Sequence, residues 1–213
     1  PQLAGGLQPA TTELLGLRWL GFVPALALPF CLTATLFAAP LLLLAIDISS
    51  GLVDPFPSRL DLLALRDYVF APVTEEWAFR ACMVPALCLD GWSFASAVAV
   101  APIFFGAAHL HHVHEAVVYQ GRPLRAALTA MCFQMTYTTV FGWYAAWLFV
   151  RTGHLAAPVA AHAFCNLMGF PDFLRMSMHR YKVPLLASLV PSILLFSISL
   201  APLTEPHLYG WDT

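Results

Sequence analysis

Two glutamates stand side by side in an apolar background, in the stretch Pro72-Val73-Thr74-Glu75-Glu76-Trp77-Ala78-Phe79-Arg80. Ionisable side chains at membrane depth cost a few kcal/mol each and face a polar cavity or a partner. Glu76 and Arg80 are four residues apart with the acid first, the favourable order for an ion pair along a helix. That pairing neutralises Glu76. It leaves Glu75, about 100° away around the helix, to point elsewhere. A carboxylate in a low-dielectric setting suits general acid or base work. The alternative is that both glutamates are structural bridges to other helices.

Further along, Phe105 and His109 share one helical face in Phe105-Gly106-Ala107-Ala108-His109. Gly106, Ala107 and Ala108 are small enough for close helix approach, which would bring the His109 imidazole towards Glu75. His111, His112 and His114 follow, with Glu115 beside them, and read as interfacial histidines. His162 and Asn166 are again four apart. Both can donate to a developing oxyanion, or simply hydrogen-bond between helices.

A carboxylate, two histidines and an asparagine on three helices are the parts for hydrolysing an amide with an activated water. Glu75, His109 and His162 also match a zinc set of two histidines and one carboxylate, although the chain has no HExxH or HxxEH. It has no GxSxG elbow, which disfavours a serine hydrolase. There is no CxxC, and Cys165 lacks the electropositive setting of a reactive thiol. A third reading is non-enzymatic, a membrane scaffold or transporter with a polar network. The missing symmetry between half-sequences counts against a transporter.

The elements carrying these residues are membrane helices. The chain has 213 residues, 60% hydrophobic and 10% charged, with mean hydropathy +0.74. Soluble domains are roughly 45–50% apolar and about 25% charged. We therefore expect an all-α, polytopic transmembrane bundle. With net charge −2 and a single lysine, Lys182, nucleic acid is not an expected partner. The cysteines Cys31, Cys82, Cys88, Cys132 and Cys165 read as small buried hydrophobes.

Residues 1–15 read as a connector. Residues 16–48, broken by Pro24, Pro29 and Pro40, read as one kinked span or a span plus a half-helix. A loop over 49–59 and an interfacial helix over 60–71 come next. The glutamate helix is expected over 72–89, with Pro72 in its first turn and Thr74 capping amides. Further spans are expected over 93–113, 124–150 and 183–203. A loop over 114–123, a shorter Ala-rich helix over 154–168 and a basic loop over 169–182 separate them. If each apolar block crosses once, Arg59, Arg66, Arg122, Arg125, Arg175, Arg180 and Lys182 share one side, which positive charge marks as cytosolic. Arg18 and Arg151 share the other.

Glu75-Glu76-x-x-x-Arg80, Phe105-x-x-x-His109 and His162-x-x-x-Asn166, in this order on successive hydrophobic helices, resemble the three motifs of the CAAX protease and bacteriocin-processing family. The wording around them, Leu65-Arg66-Asp67-Tyr68-Val69-Phe70-Ala71-Pro72 and Arg151-Thr152-Gly153-His154-Leu155, is closest to the family's eukaryotic branch. The resemblance is strong over roughly residues 60–171. It implies a multi-pass endopeptidase of the endoplasmic reticulum membrane that removes the last three residues of farnesylated or geranylgeranylated CaaX proteins, such as small GTPases. It implies that Glu75 and His109 activate the water and that His162 and Asn166 hold the oxyanion. Glu76 and Arg80 would be supporting, and no metal or cofactor is implied. Membrane lipid is the other expected partner. Residues 1–213 are expected to form a single membrane-embedded peptidase domain that lacks its N-terminal spans. Phe104, Phe105, Phe133, Trp143 and Trp147 are candidates to line its cavity.

Overall fold

The structure is a computed structural model that describes residues 11–54 and 61–211. It is 80% helical, with no strands among the described residues. The principal helices in chain order are α1 (Phe22–Leu36), α2 (Ala38–Ser49), α3 (Phe94–Ala108), α4 (Leu124–Thr152), α5 (Ala156–Met168) and α6 (Leu189–Leu203). Shorter helical segments connect them.

Pro40 explains the division of the first apolar run. A proline lacks the amide that would bond to the carbonyl four residues back, and its ring clashes with that carbonyl. Four back from Pro40 is Leu36, the last residue of α1. The chain bends by 83° there, and α2 starts at Ala38. Pro29 is carried inside α1.

The glutamate segment differs from expectation at its start. Helical residues run over 62–89, so Pro72 opens no helix. Asp61 supplies the cap instead, its Oδ1 accepting from the Ala64 amide at 2.7 Å. The Thr74 hydroxyl donates backwards, to Phe70 O at 2.8 Å and Ala71 O at 3.1 Å, so it caps nothing. Two wide π turns, Arg66–Phe70 and Trp77–Cys82, lie just ahead of Pro72 and Pro85. A π turn shifts the hydrogen-bond register by one residue, which lets an internal proline pass without a break.

Two expected loops are partly helical. Residues 114–119, expected to be loop, continue the α3 span as the end of a short helix, His111–His114, and a π turn over Glu115–Tyr119. Phe173–Met178 is a short helix inside the expected basic loop, capped by Asp172, whose Oδ1 accepts from the Arg175 amide at 2.8 Å.

Two helical stretches, Phe94–Tyr119 and Lys182–Leu203, are long and apolar enough to cross a membrane, and the bent α1–α2 pair adds a third candidate. α4 has 29 residues, ample for a crossing, but it is less apolar. Its threonines lower the polar cost by bonding to their own helix: Thr136 donates to Cys132 O at 2.8 Å and Thr138 to Gln134 O at 2.9 Å.

The chain divides into two compact units. One holds residues 1–18 and 75–155, the other 19–74 and 156–213. In the first, α3 packs on α4 through small residues. Gly106 meets Thr139 and Met135, and Gly142 meets Pro102, while Ala97 and Ala101 on α3 are buried in a cluster with Val84. In the second, α5 packs on α1. Ala157 and Ala161 are buried on α5, and Ala25 and Leu32 on α1. Phe164 fixes this contact, edge-on to Phe30 at 4.9 Å and Phe37 at 5.3 Å. Gly21 takes positive φ in this unit, where a side chain would strike the Tyr209 backbone. Tyr209 is buried and its hydroxyl donates to Leu203 O. Burial pushes that phenol up to about 12.

The cysteines depart from expectation. Cys31, Cys82 and Cys132 are exposed and Cys88 and Cys165 partly so, and none of the five is in a disulfide. A helix whose outer face meets lipid can carry an apolar thiol there without needing an interior place for it.

Candidate active site

Glu76 and Arg80 are both fully buried, and Arg80 Nη1 donates to Glu76 Oε1 at 3.0 Å. The i, i+4 pairing expected from the spacing is present. Arg80 Nη2 also donates to Gly142 O at 3.3 Å, and the guanidinium lies over the Phe105 ring, 4.6 Å from its centre. A carboxylate, a backbone carbonyl and an aromatic face thus replace the water around this cation. Glu75 is half-buried, one residue before Glu76. Its charge also acts on Arg80, so the arginine answers to both carboxylates and not to Glu76 alone.

Phe105 joins this cluster to the histidine. Its ring is edge-on to Phe79 at 5.1 Å and to His109 at 5.2 Å. His109 Nδ1 lies 2.9 Å from Phe105 O. A carbonyl oxygen only accepts, so Nδ1 carries the proton, and in the neutral ring Nε2 keeps the lone pair. His109 sits at the C-terminal end of α3, where a helix bends away into the next turn. Gly106 serves the α3–α4 contact.

The other histidines occupy the turn beyond. His111 Nδ1 is 2.8 Å from Ala108 O, and His112 Nδ1 is 3.2 Å from Glu115 Oε2. His111 and His114 are exposed, as expected of interfacial residues.

In the second unit, α5 turns Phe164 into the packing with α1. His162 and Asn166 are two residues to either side of it, on the opposite face. His162 is buried. Asn166 is exposed, and its Nδ2 donates to Asp67 O at 2.9 Å. That bond uses one of the two amide protons and fixes the amide plane, leaving the second proton to donate elsewhere. Asp67 is itself held by Arg66, with Nε 2.7 Å from Oδ1. The hydrogen bond from this guanidinium holds the Asp67 carboxyl below the usual carboxylate range.

Of the aromatic residues expected to line a cavity, Phe105 is buried against Arg80, whereas Phe104, Phe133, Trp143 and Trp147 are exposed. Trp143 Nε1 donates to Ala99 O at 3.0 Å. Within each unit, among the described residues, no three His, Cys, Asp or Glu side chains are grouped to hold a metal ion. The Gly142 carbonyl and the Asp67 carbonyl were not foreseen from spacing. Backbone acceptors carry no residue-type signal.

A family profile described as Type II CAAX prenyl endopeptidase Rce1-like matches residues 57–168. Human CAAX prenyl protease 2 is 42% identical over 96% of this chain and 66% of its own length. The rat protein of the same name is 37% identical over 96% of this chain and 63% of its own. The Arabidopsis thaliana protein of that name is 40% identical over 70% of this chain and 46% of its own. The chain thus spans just under two thirds of the length of the human and rat relatives. No solved structure matches it. The matched residues 57–168 take in all three motifs, with Glu75, Glu76, Arg80, His109, His162 and Asn166 inside them, and the chain belongs to the Type II CAAX prenyl endopeptidase Rce1-like family.

Proposed function

We propose that this chain is an intramembrane endopeptidase that removes the C-terminal aaX tripeptide from farnesylated or geranylgeranylated CaaX proteins. Residues 1–213 act as one peptidase domain in this reading, seated in the endoplasmic reticulum membrane. The observation that carries it is the 2.9 Å approach of His109 Nδ1 to the Phe105 carbonyl. The Phe105 carbonyl commits Nδ1 to donation, and Nε2 is left as a base within an apolar helix.

Glu75 and His109 take a proton from the water. The oxygen adds to the carbonyl carbon of the prenylcysteine. Asn166 and His162 donate to the oxyanion that forms. The intermediate collapses with cleavage of the C–N bond, and the abstracted proton passes to the leaving amine. The products are a prenylcysteine carboxylate and a free tripeptide. Glu76 does not react. It neutralises Arg80, which supports the Phe105 ring behind His109.

The test is cleavage of a farnesylated CaaX peptide in liposomes by wild type, Glu75→Gln and Glu76→Gln, with the thermal stability of each followed in parallel. Tripeptide release by wild type, with Glu75→Gln folded and inactive, is the expected result. Loss confined to Glu76→Gln in folded protein would exchange the two roles. Activity is expected to survive dialysis against a chelator. Its loss, with one zinc bound per active chain, would replace this mechanism with metal-assisted hydrolysis by Glu75, His109 and His162.

A further inference from the structure

Asp47 stands in the last turn of α2 and is 2% exposed. Its Oδ2 accepts from Arg175 Nη2 at 2.7 Å. Its Oδ1 is buried and has no hydrogen-bond partner among the described residues. A buried carboxylate oxygen left unmatched costs on the order of 1–3 kcal/mol or more, a cost that a donor reaching it from the cavity would remove. The pair lines a cavity of about 240 Å³. That is far above the roughly 30 Å³ share of one water and near the size of a small polar group.

The walls state what kind of group fits. Asp172 is a second acid beside Arg175, and Leu43, Leu167 and Phe170 supply apolar surface. Asp47 Oδ1 is an anionic acceptor without a donor among the described residues, so a cationic N–H fits beside it. Arg175 is about half exposed at its side chain, so its guanidinium can also meet an anion at the cavity's mouth. The complementary ligand is therefore a zwitterion. Its primary ammonium would donate to Asp47 Oδ1 and its anionic group would face Arg175. The position favours a membrane source. Arg175 is followed within the same basic stretch by Lys182, where the apolar stretch Lys182–Leu203 begins. Arg175 thus lies seven residues ahead of a candidate span, so a lipid headgroup is the nearest source of such a ligand.

We infer that this cavity, outside the proposed hydrolytic residues, binds the headgroup of an aminophospholipid of the phosphoethanolamine type. A choline headgroup has a cation but no N–H and cannot satisfy Oδ1. A glycerol headgroup brings no cation.

The experiment is native mass spectrometry of the detergent-solubilised chain. It is titrated with phosphatidylethanolamine, phosphatidylcholine or phosphatidylglycerol of matched acyl chains. One charge-assisted hydrogen bond is worth about a tenfold preference for phosphatidylethanolamine over phosphatidylcholine. Asp47→Asn should bring that ratio near one without changing phosphatidylcholine binding. Equal binding of the two lipids by wild type overturns the proposal, and that comparison involves no variant that could misfold. A folded Asp47→Asn that keeps the preference overturns it as well. Free phosphoethanolamine should compete with the lipid. Binding of the free zwitterion without binding of the lipid overturns the membrane source.

Discussion

Arg80 has exchanged water for a carboxylate, a carbonyl and a ring. Removing one partner from a buried ion pair strands the other, at a cost of about 3–5 kcal/mol. We expect Glu76→Gln to lower the melting temperature strongly, whatever its effect on catalysis. Glu75→Gln, at a half-buried position, should melt close to wild type. Arg80→Lys should also destabilise, because an ammonium cannot reach a carboxylate and a carbonyl with one planar fork while lying flat on a ring. Thermal melting in detergent reads all three, and a Glu76→Gln that melts with wild type would refute the stranding argument. Spacing alone made part of this legible. Glu76–Arg80 and Phe105–His109 are four-residue pairs, and helical geometry delivers such contacts locally. Gly142 lies 62 residues from Arg80, and Asp67 lies 99 from Asn166. Contacts of that kind depend on how helices pack, which no local pattern states.

Among the elements, the existence of the helices was plain and their ends were not. Apolar runs declare themselves by composition. Pro40 breaks a helix, whereas Pro72, with a π turn before it, and Pro29, without one, do not, and none of these residues announces which it will do. The helix pair α3–α4 yields a sharper expectation. A methyl at Gly142 would lie 2.6 Å from Pro102 Cβ and 3.2 Å from Arg80 Nη2. Both neighbours are rigidly held, so Gly142→Ala must push the helices apart. Overpacking of this kind costs about 1–3 kcal/mol. At Gly106 the first atom met is the Thr139 hydroxyl, also at 2.6 Å, which can rotate away. Gly106→Ala should therefore be the milder change, and Gly142→Ala should lose both stability and peptide cleavage. Melting curves for the two variants decide it, and the reverse order would mean that Arg80 and Pro102 yield more readily than Thr139.

For the molecule as a whole, lipid is the solvent. Large hydrophobic residues are exposed along nearly every helix, Leu26 and Phe30 on α1 and Ile193, Leu194 and Ile198 on α6 among them. A surface of this kind is at rest only in a bilayer or detergent. The same solvent would govern the prenylated substrate proposed above. Moving one more isoprene unit out of water contributes about 4 kcal/mol, at about 0.8 kcal/mol per CH₂. That gain is realised when the peptide enters the bilayer, before it meets the protein. Passing from lipid tails to a lipid-facing helix surface adds little, since both are equally apolar. A geranylgeranylated peptide should therefore outpace a farnesylated one at equal total concentration wherever the shorter chain partitions incompletely. Rates plotted against membrane-bound peptide should then agree within about threefold, less than 1 kcal/mol of transition-state discrimination. Cleavage in liposomes, with the bound fraction measured by sedimentation, makes the comparison. A difference above about tenfold after that correction, some 1.4 kcal/mol, would mean that the protein itself grips the prenyl chain in a pocket of defined length.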